Sequence, residues 1–316
     1  MTLHPESAWV IEKAAQAKLP PYESLPPEAA RALYRKAIKP LDVQPRRMAR
    51  IEDRAIVRPA GASAGIVPVR LYTPPGLPAG PAPCLVFFHG GGHVIGDLET
   101  HDRVCRLLAE RASCKVLAVD YRLAPEHKFP AGYDDALTAL QWAFDNATAL
   151  GIDPARIAVG GDSAGGTLSA GAAQWARDRK LPLKFQLLVY PATDLAVETR
   201  SRREFGSGYL LTKSLIDWFI GSYSRSPADL LDPRASPGRA ENLKDLASAA
   251  VIVCGCDPLH DEGVTYAEKL HAAGVSVALG DFPGLLHGSF NMSGALDSSK
   301  MLIDFCVAQL QAAFAK

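Results

Sequence analysis

Val159-Gly160-Gly161-Asp162-Ser163-Ala164-Gly165-Gly166 is the stretch on which the reading of this chain turns. It follows the apolar run Ile157-Ala158-Val159 and leads into an Ala-rich helical segment, so a strand ends and a helix begins within a few residues. Between them, Gly161, Ser163 and Gly165 form a Gly-x-Ser-x-Gly turn. Glycines two before and two after a serine let strand and helix approach closely, and the strained turn lifts the hydroxyl clear of the sheet edge. The Ser163 and Ala164 amides then lie at a helix N-terminus, where the partial positive charge favours an anion. A glycine-rich turn between strand and helix also suits a phosphate or no ligand at all; the strand-turn-helix context favours a nucleophile.

Short continuous apolar runs recur on both sides of this turn: Cys84–Phe88, Val116–Val119, Phe185–Tyr190, Ala250–Cys254 and Val275–Leu279. Strands buried on both faces have this pattern. Helical segments near 100–113, 133–149, 164–179, 261–273 and 295–314 separate them, which implies right-handed βαβ units and a mostly parallel sheet of the α/β class. Upstream, Arg50–Arg58 and Ile66–Thr73 alternate with period two around Pro59-Ala60-Gly61 and predict an antiparallel hairpin. Residues 1–45 read as helices interrupted by Pro20-Pro21 and Pro26-Pro27. The stretch 195–246 breaks the rhythm, with Gly, Pro, aromatic and charged residues but no clear strand, and reads as an insertion above the sheet. The expected organisation is a core of 46–194 and 247–316 with N-terminal helices 1–45 and insertion 195–246 paired over it.

The second motif is Phe87-Phe88-His89-Gly90-Gly91-Gly92-His93, directly after a buried strand. Consecutive glycines expose backbone N–H groups, and such donors stabilise the oxyanion of acyl transfer by about 2.7–4 kcal/mol each. In this topology the loop after the third strand lies beside the serine turn. A serine hydroxyl needs a base, and the base an orienting carboxylate, in the chain order Ser, Asp or Glu, His. Downstream of Ser163 stand His260, His271 and His287. His271 falls mid-helix; His260 follows a strand end and competes for the role. His287 follows the last predicted strand, where a loop overhangs the serine, and is the expected base. Asp257, at the carboxyl edge of the penultimate strand, is the expected orienting carboxylate. Asp261 and Glu262 instead begin a helix.

The His89-Gly90-Gly91-Gly92 loop, Tyr121–Glu126, Gly161–Gly166 and Asp257-Pro258-Leu259 together resemble the bacterial hormone-sensitive lipase family, or family IV, from about residue 50 onward. The resemblance implies an α/β-hydrolase fold with an eight-stranded, mostly parallel sheet and a helical cap. It implies a carboxylesterase with the amides of Gly91, Gly92 and Ala164 as oxyanion donors, with His89 and Gly90 shaping that loop. Short to medium acyl chains and a homodimer are further family expectations. Where the family usually has an aromatic residue after the glycines, this chain has His93; where it continues His-Gly-Phe, this chain has His287-Gly288-Ser289-Phe290. His93, Tyr209, Leu210, Trp218 and Phe219 either line a substrate pocket or seal the cap. Arg122, Glu126 and His127 are expected to hold the scaffold, and Cys256 to be a buried thiol.

Of 316 residues, 34 are Lys or Arg and 34 Asp or Glu, for a formal net charge of zero. The basic excess of a nucleic-acid binder is absent, so that partner class is not expected. Charges interrupt every long apolar run, and no membrane span is predicted. The six cysteines show no C-x-x-C pair, which predicts reduced thiols in a cytoplasmic protein with no metal. The proposed chemistry needs no cofactor and a small-molecule ester as partner; an amide or formamide is the rival substrate, and a non-catalytic receptor would lack one of Ser163, Asp257 and His287.

Overall fold

The computed structural model describes residues 2–58 and 64–315. Two helices come first, α1 (Pro5–Ala17) and α2 (Pro27–Ile38), followed by strands β1 (Arg50–Val57), β2 (Ile66–Thr73) and β3 (Ala82–Phe88). The chain continues through α3 (Asp102–Arg111), β4 (Lys115–Val119), α4 (Ala131–Asp145), the single turn α5 (Ala147–Leu150), β5 (Ile152–Asp162), α6 (Ala164–Asp178) and β6 (Leu183–Val189). Then come α7 (Arg200–Phe205), α8 (Lys213–Tyr223), β7 (Ser248–Cys256), α9 (His260–Ala272), β8 (Val277–Leu286) and α10 (Asp297–Ala315).

The strands form one eight-stranded sheet in the order β1-β2-β4-β3-β5-β6-β7-β8. β1 pairs antiparallel with β2 from Arg50 opposite Thr73 to Val57 opposite Ile66. β2 is antiparallel to β4, and every pairing from there to β8 is parallel. The Pro59-Ala60-Gly61 turn expected between β1 and β2 lies outside the described residues. Two strands run further than their apolar cores suggest. β5 continues to Asp162 because Gly160 and Gly161, though without side chains, still pair with Phe87 and Phe88 on one side and Leu187 and Leu188 on the other. β8 runs from Val277 to Leu286 because its main chain follows β7, from Ala249 opposite Val277 to Cys256 opposite Leu286.

All of β3 is buried, and its alternation feeds two separate cores. Leu85 and Phe87 join Val104 and Leu108 of α3 and Leu302 and Leu310 of α10 on one face. Cys84, Val86 and Phe88 join Leu140 of α4 and Leu168 of α6 on the other. Each such side chain contributes about 1.5–3 kcal/mol when fully buried, so this double packing fixes the central strand ends. Those ends carry the two glycine motifs. The segment 195–246 contains α7 and α8 and no strand among its described residues.

Candidate active site

Ser163 sits between β5 and α6 with φ 55° and ψ −118°, outside the regions favoured by non-glycine residues. Such a conformation costs on the order of 1–3 kcal/mol and persists only where its surroundings over-determine it. Here the Ser163 amide donates to the Val189 carbonyl at 2.8 Å. The flanking glycines have a steric reason. A Cβ on Gly165 would collide with the Phe88 carbonyl oxygen and come within 2.6 Å of its carbon. A Cβ on Gly161 would strike the same oxygen and lie 2.6 Å from the Gly165 carbonyl carbon. Helix and strand are in contact through bare backbone.

Three side chains predicted from distant parts of the sequence converge above this turn. His287 Nε2 lies 2.9 Å from Ser163 Oγ. On the other side of the ring, Nδ1 lies 2.7 Å from Asp257 Oδ2. Asp257 is fully buried, and its second oxygen accepts the Leu259 amide at 2.8 Å. A buried carboxylate accepts only, so Nδ1 carries a hydrogen and Nε2 is free to take the serine proton. Tyr190 packs its ring 4.5 Å from that of His287. His260 is engaged elsewhere, by Asp261 at 3.0 Å and Asp281 at 3.5 Å. His271 is exposed in the last turn of α9.

The glycine loop supplies donors beside the serine. Gly91 and Gly92 have φ of 118° and 59°, and among the described residues neither their amides nor that of Ala164 meets a protein acceptor. The loop is held from behind. Val94 and Ile95 amides donate to the Gly91 carbonyl at 3.0 and 2.9 Å, and the Tyr121 hydroxyl donates to the His89 carbonyl at 2.7 Å. The His89 ring stacks on Tyr121 at 4.4 Å, with Nδ1 2.8 Å from the Gly90 carbonyl. The Gly90 amide donates to Asp162 Oδ1 at 2.9 Å.

Ser163, Ala164, His287, Gly91 and Gly92 open onto one cavity of about 940 Å³. Val10, Leu33 and Ile38 line it from the N-terminal helices, and Leu215, Ile216 and Phe219 from α8. Of the residues singled out as pocket candidates, His93, Tyr209, Leu210 and Phe219 line the cavity. Trp218 does not: it is half-buried on the neighbouring face of α8, packed with Phe219 at 5.3 Å between ring centres and against the cluster that includes Tyr22. His93 is 5% exposed and stacks on Tyr223 at 4.0 Å; burial, then His89, pushes its pKa down to about 3. The ring is therefore neutral near pH 7.

Three contacts had no signal in the sequence, because they depend on which loops meet. These are Tyr190 against His287, Tyr223 against His93, and Phe219 so close to Gly92 that a Cβ there would enter its ring. Of the residues expected to hold the scaffold, Arg122 pairs with the buried Asp135 at 2.8 Å and Glu126 with Arg31 of α2 at 2.7 Å, while His127 is exposed. All six cysteines are buried and free, and burial raises the Cys256 thiol above its ordinary range. Among the described residues, no helix is long and apolar enough to cross a membrane.

The family model described as alpha/beta hydrolase fold matches residues 85–291. The carboxylic ester hydrolase LipN of Mycobacterium tuberculosis is 49% identical over 250 residues, which are 77% of this chain and 65% of LipN. An ethyl acetate hydrolase of Pseudomonas putida is 44% identical over 248 residues, 78% of each chain. Among solved structures, an ester-hydrolase from the metagenome of Lake Arreo superposes with a TM-score of 0.94 at 39% identity, covering both chains fully. A hyperthermophilic esterase from the archaeon Pyrobaculum calidifontis gives 0.90 at 37% identity over 99% of each chain.

Proposed function

The chain belongs to the α/β-hydrolase-fold family, and we propose that it is a serine carboxylesterase acting through an acyl-enzyme. The observation that carries this reading is the unbroken hydrogen-bonded line from Asp257 through His287 to Ser163, with free amides beside it. Ser163 Oγ attacks the ester carbonyl carbon as its proton passes to His287 Nε2. The former carbonyl oxygen takes the negative charge and is held by the amides of Gly91, Gly92 and Ala164. Collapse of this intermediate breaks the bond to the alcohol oxygen, which leaves with the proton from His287. Water then gives its proton to His287, attacks the acyl carbon, and the acid departs as Ser163 regains its hydrogen. Asp257 holds the imidazole tautomer throughout.

The substrate is a neutral ester with a short to medium acyl chain. The largely apolar lining of the cavity supports this, as do the ester-hydrolase names of the relatives, which do not favour an amide. Residues 1–45 and 195–246 serve as the cap, since both contribute to the cavity wall over the serine. The free, buried cysteines support a cytoplasmic location, and the family likeness a homodimer, which sedimentation at micromolar concentration decides. Ser163→Ala lowers turnover of a nitrophenyl butyrate ester by at least ~10³-fold with the melting temperature retained. Undiminished hydrolysis by that variant overturns the assignment.

A further inference from the structure

Asp162 immediately precedes Ser163, is 3% exposed, and has no step in the reaction above. It joins three segments of the site. Oδ1 accepts the Gly90 amide at 2.9 Å and lies 3.1 Å from His101 Nε2. Oδ2 lies 3.4 Å from the side-chain amide of Asn291, in the turn that follows His287. Burial raises its carboxyl, but the charge and hydrogen bond of His101 and the Gly90 amide outweigh that and hold it below the ordinary range. The group is therefore a carboxylate. A fixed negative charge one residue from Ser163 opposes the charge that builds on the substrate oxygen, unless a cation balances it.

His101 is the side chain placed to balance it. It is 1% exposed, and its Nδ1 lies 2.9 Å from Thr100 Oγ1. That hydroxyl donates to the Asp97 carbonyl at 2.8 Å and accepts the Asp97 amide at 2.9 Å. The hydroxyl oxygen thus faces Nδ1, and the Asp162 carboxylate faces Nε2, so each ring nitrogen meets an oxygen. The Asn291 side-chain nitrogen lies 3.1 Å from Nε2 and 3.4 Å from Asp162 Oδ2, so it and the ring face the same carboxylate. Asp42 also interacts electrostatically with His101, and burial pushes its carboxyl up to about 6. The His89 ring, 5.5 Å away, is driven down to about 4 by burial and then by His101, and Asp97 pairs with Arg35.

We propose that His101 is a positioning residue of the reaction, neutralising Asp162 so that this carboxylate anchors the glycine loop at Gly90 without opposing the oxyanion. The inference rests on the ester-hydrolase reading. Charge balance makes the two partners unequal. Losing His101 leaves a buried, unpaired anion, whereas Asp162→Asn removes that anion.

The test is steady-state kinetics on nitrophenyl butyrate for wild type, Ser163→Ala, His101→Gln, Asp162→Asn and the double variant His101→Gln/Asp162→Asn, with melting curves alongside. His101→Gln is expected to lower kcat by ~30-fold or more with KM changed less than ~3-fold, and Asp162→Asn by less than ~10-fold. The double variant recovers to within ~3-fold of Asp162→Asn, a rescue that loss of a merely structural contact does not produce. Losses that multiply in the double variant, or an unchanged kcat in His101→Gln, overturn the proposal. Should His101→Gln not fold, the double variant decides alone: folded and near Asp162→Asn supports it, anything else overturns it. Activity in wild type and its loss in Ser163→Ala keep the hydrolase reading separate from either result.

Discussion

The floor and the cover of the cavity meet at Ser163 and are built from different materials. The floor is main chain. Gly161 and Gly165 bring β5 and α6 against the Phe88 carbonyl, and Gly91 and Gly92 present bare amides. The cover is side chain: half-buried and buried apolar residues of α1, α2 and α8, such as Val10, Ile38, Leu215 and Phe219, line a 940 Å³ space. Backbone geometry has no slack, since an added methyl group collides with atoms that cannot rotate away. A side-chain wall repacks at lower cost. Under the proposed function, bond-making falls to the floor and the choice of ester to the cover.

The sharpest way to break this contrast is to add one carbon to the floor. Gly165→Ala is expected to lower kcat/KM by at least ~10²-fold, because the collision with Phe88 displaces Ser163 from its attack geometry. Overpacking also lowers stability by about 1–3 kcal/mol, read from denaturant midpoints. Removing a ring from the cover is milder. Phe219→Ala should change kcat/KM on a butyrate ester by less than ~10-fold and move the optimum of a nitrophenyl ester series toward longer or bulkier acyl groups. An unchanged optimum, or a loss exceeding that of Gly165→Ala, reverses the contrast.

The smallest effect concerns His93, at the join of floor and cover. Burial depresses its folded-state pKa to about 3, while the unfolded chain titrates near 6.5. Between those values the unfolded state binds the extra proton, so stability is full above about pH 6.5 and falls as pH drops toward 3. His93→Phe keeps an aromatic stack on Tyr223 but removes the titration. Relative to wild type, the variant should therefore gain about 1–2 kcal/mol between pH 7.5 and pH 5, a shift of a few degrees in melting temperature. Equal pH slopes in the two proteins contradict the buried, neutral ring.

Floor and cover were also unequally legible in the sequence. Gly-x-Ser-x-Gly after an apolar run, the triple glycine, and the order Ser163, Asp257, His287 are local patterns, and the fold brought all of them to one sheet edge. The cover has no such grammar. Residues 1–45 and 195–246 were readable as helices and an insertion over the sheet, but which face of α8 meets the cavity depends on how that helix docks. Hence Phe219 faces inward while Trp218 packs against neighbours. Tyr190, Tyr223 and His101 stayed invisible for the same reason: each acts on a residue far away in the chain. The ends of β5 and β8 extended beyond their apolar runs because ladder hydrogen bonds, not side-chain hydrophobicity, set where pairing stops.

The central claim is that Ser163 forms a covalent bond to the acyl group during turnover. A nitrophenyl alkylphosphonate presents the same tetrahedral centre to the site but gives an adduct that water removes slowly. Peptide mass mapping after inactivation should find one adduct per chain, on the peptide bearing Ser163, with loss of esterase activity in proportion to labelling. Full labelling of another residue, or full activity with Ser163 modified, contradicts the account.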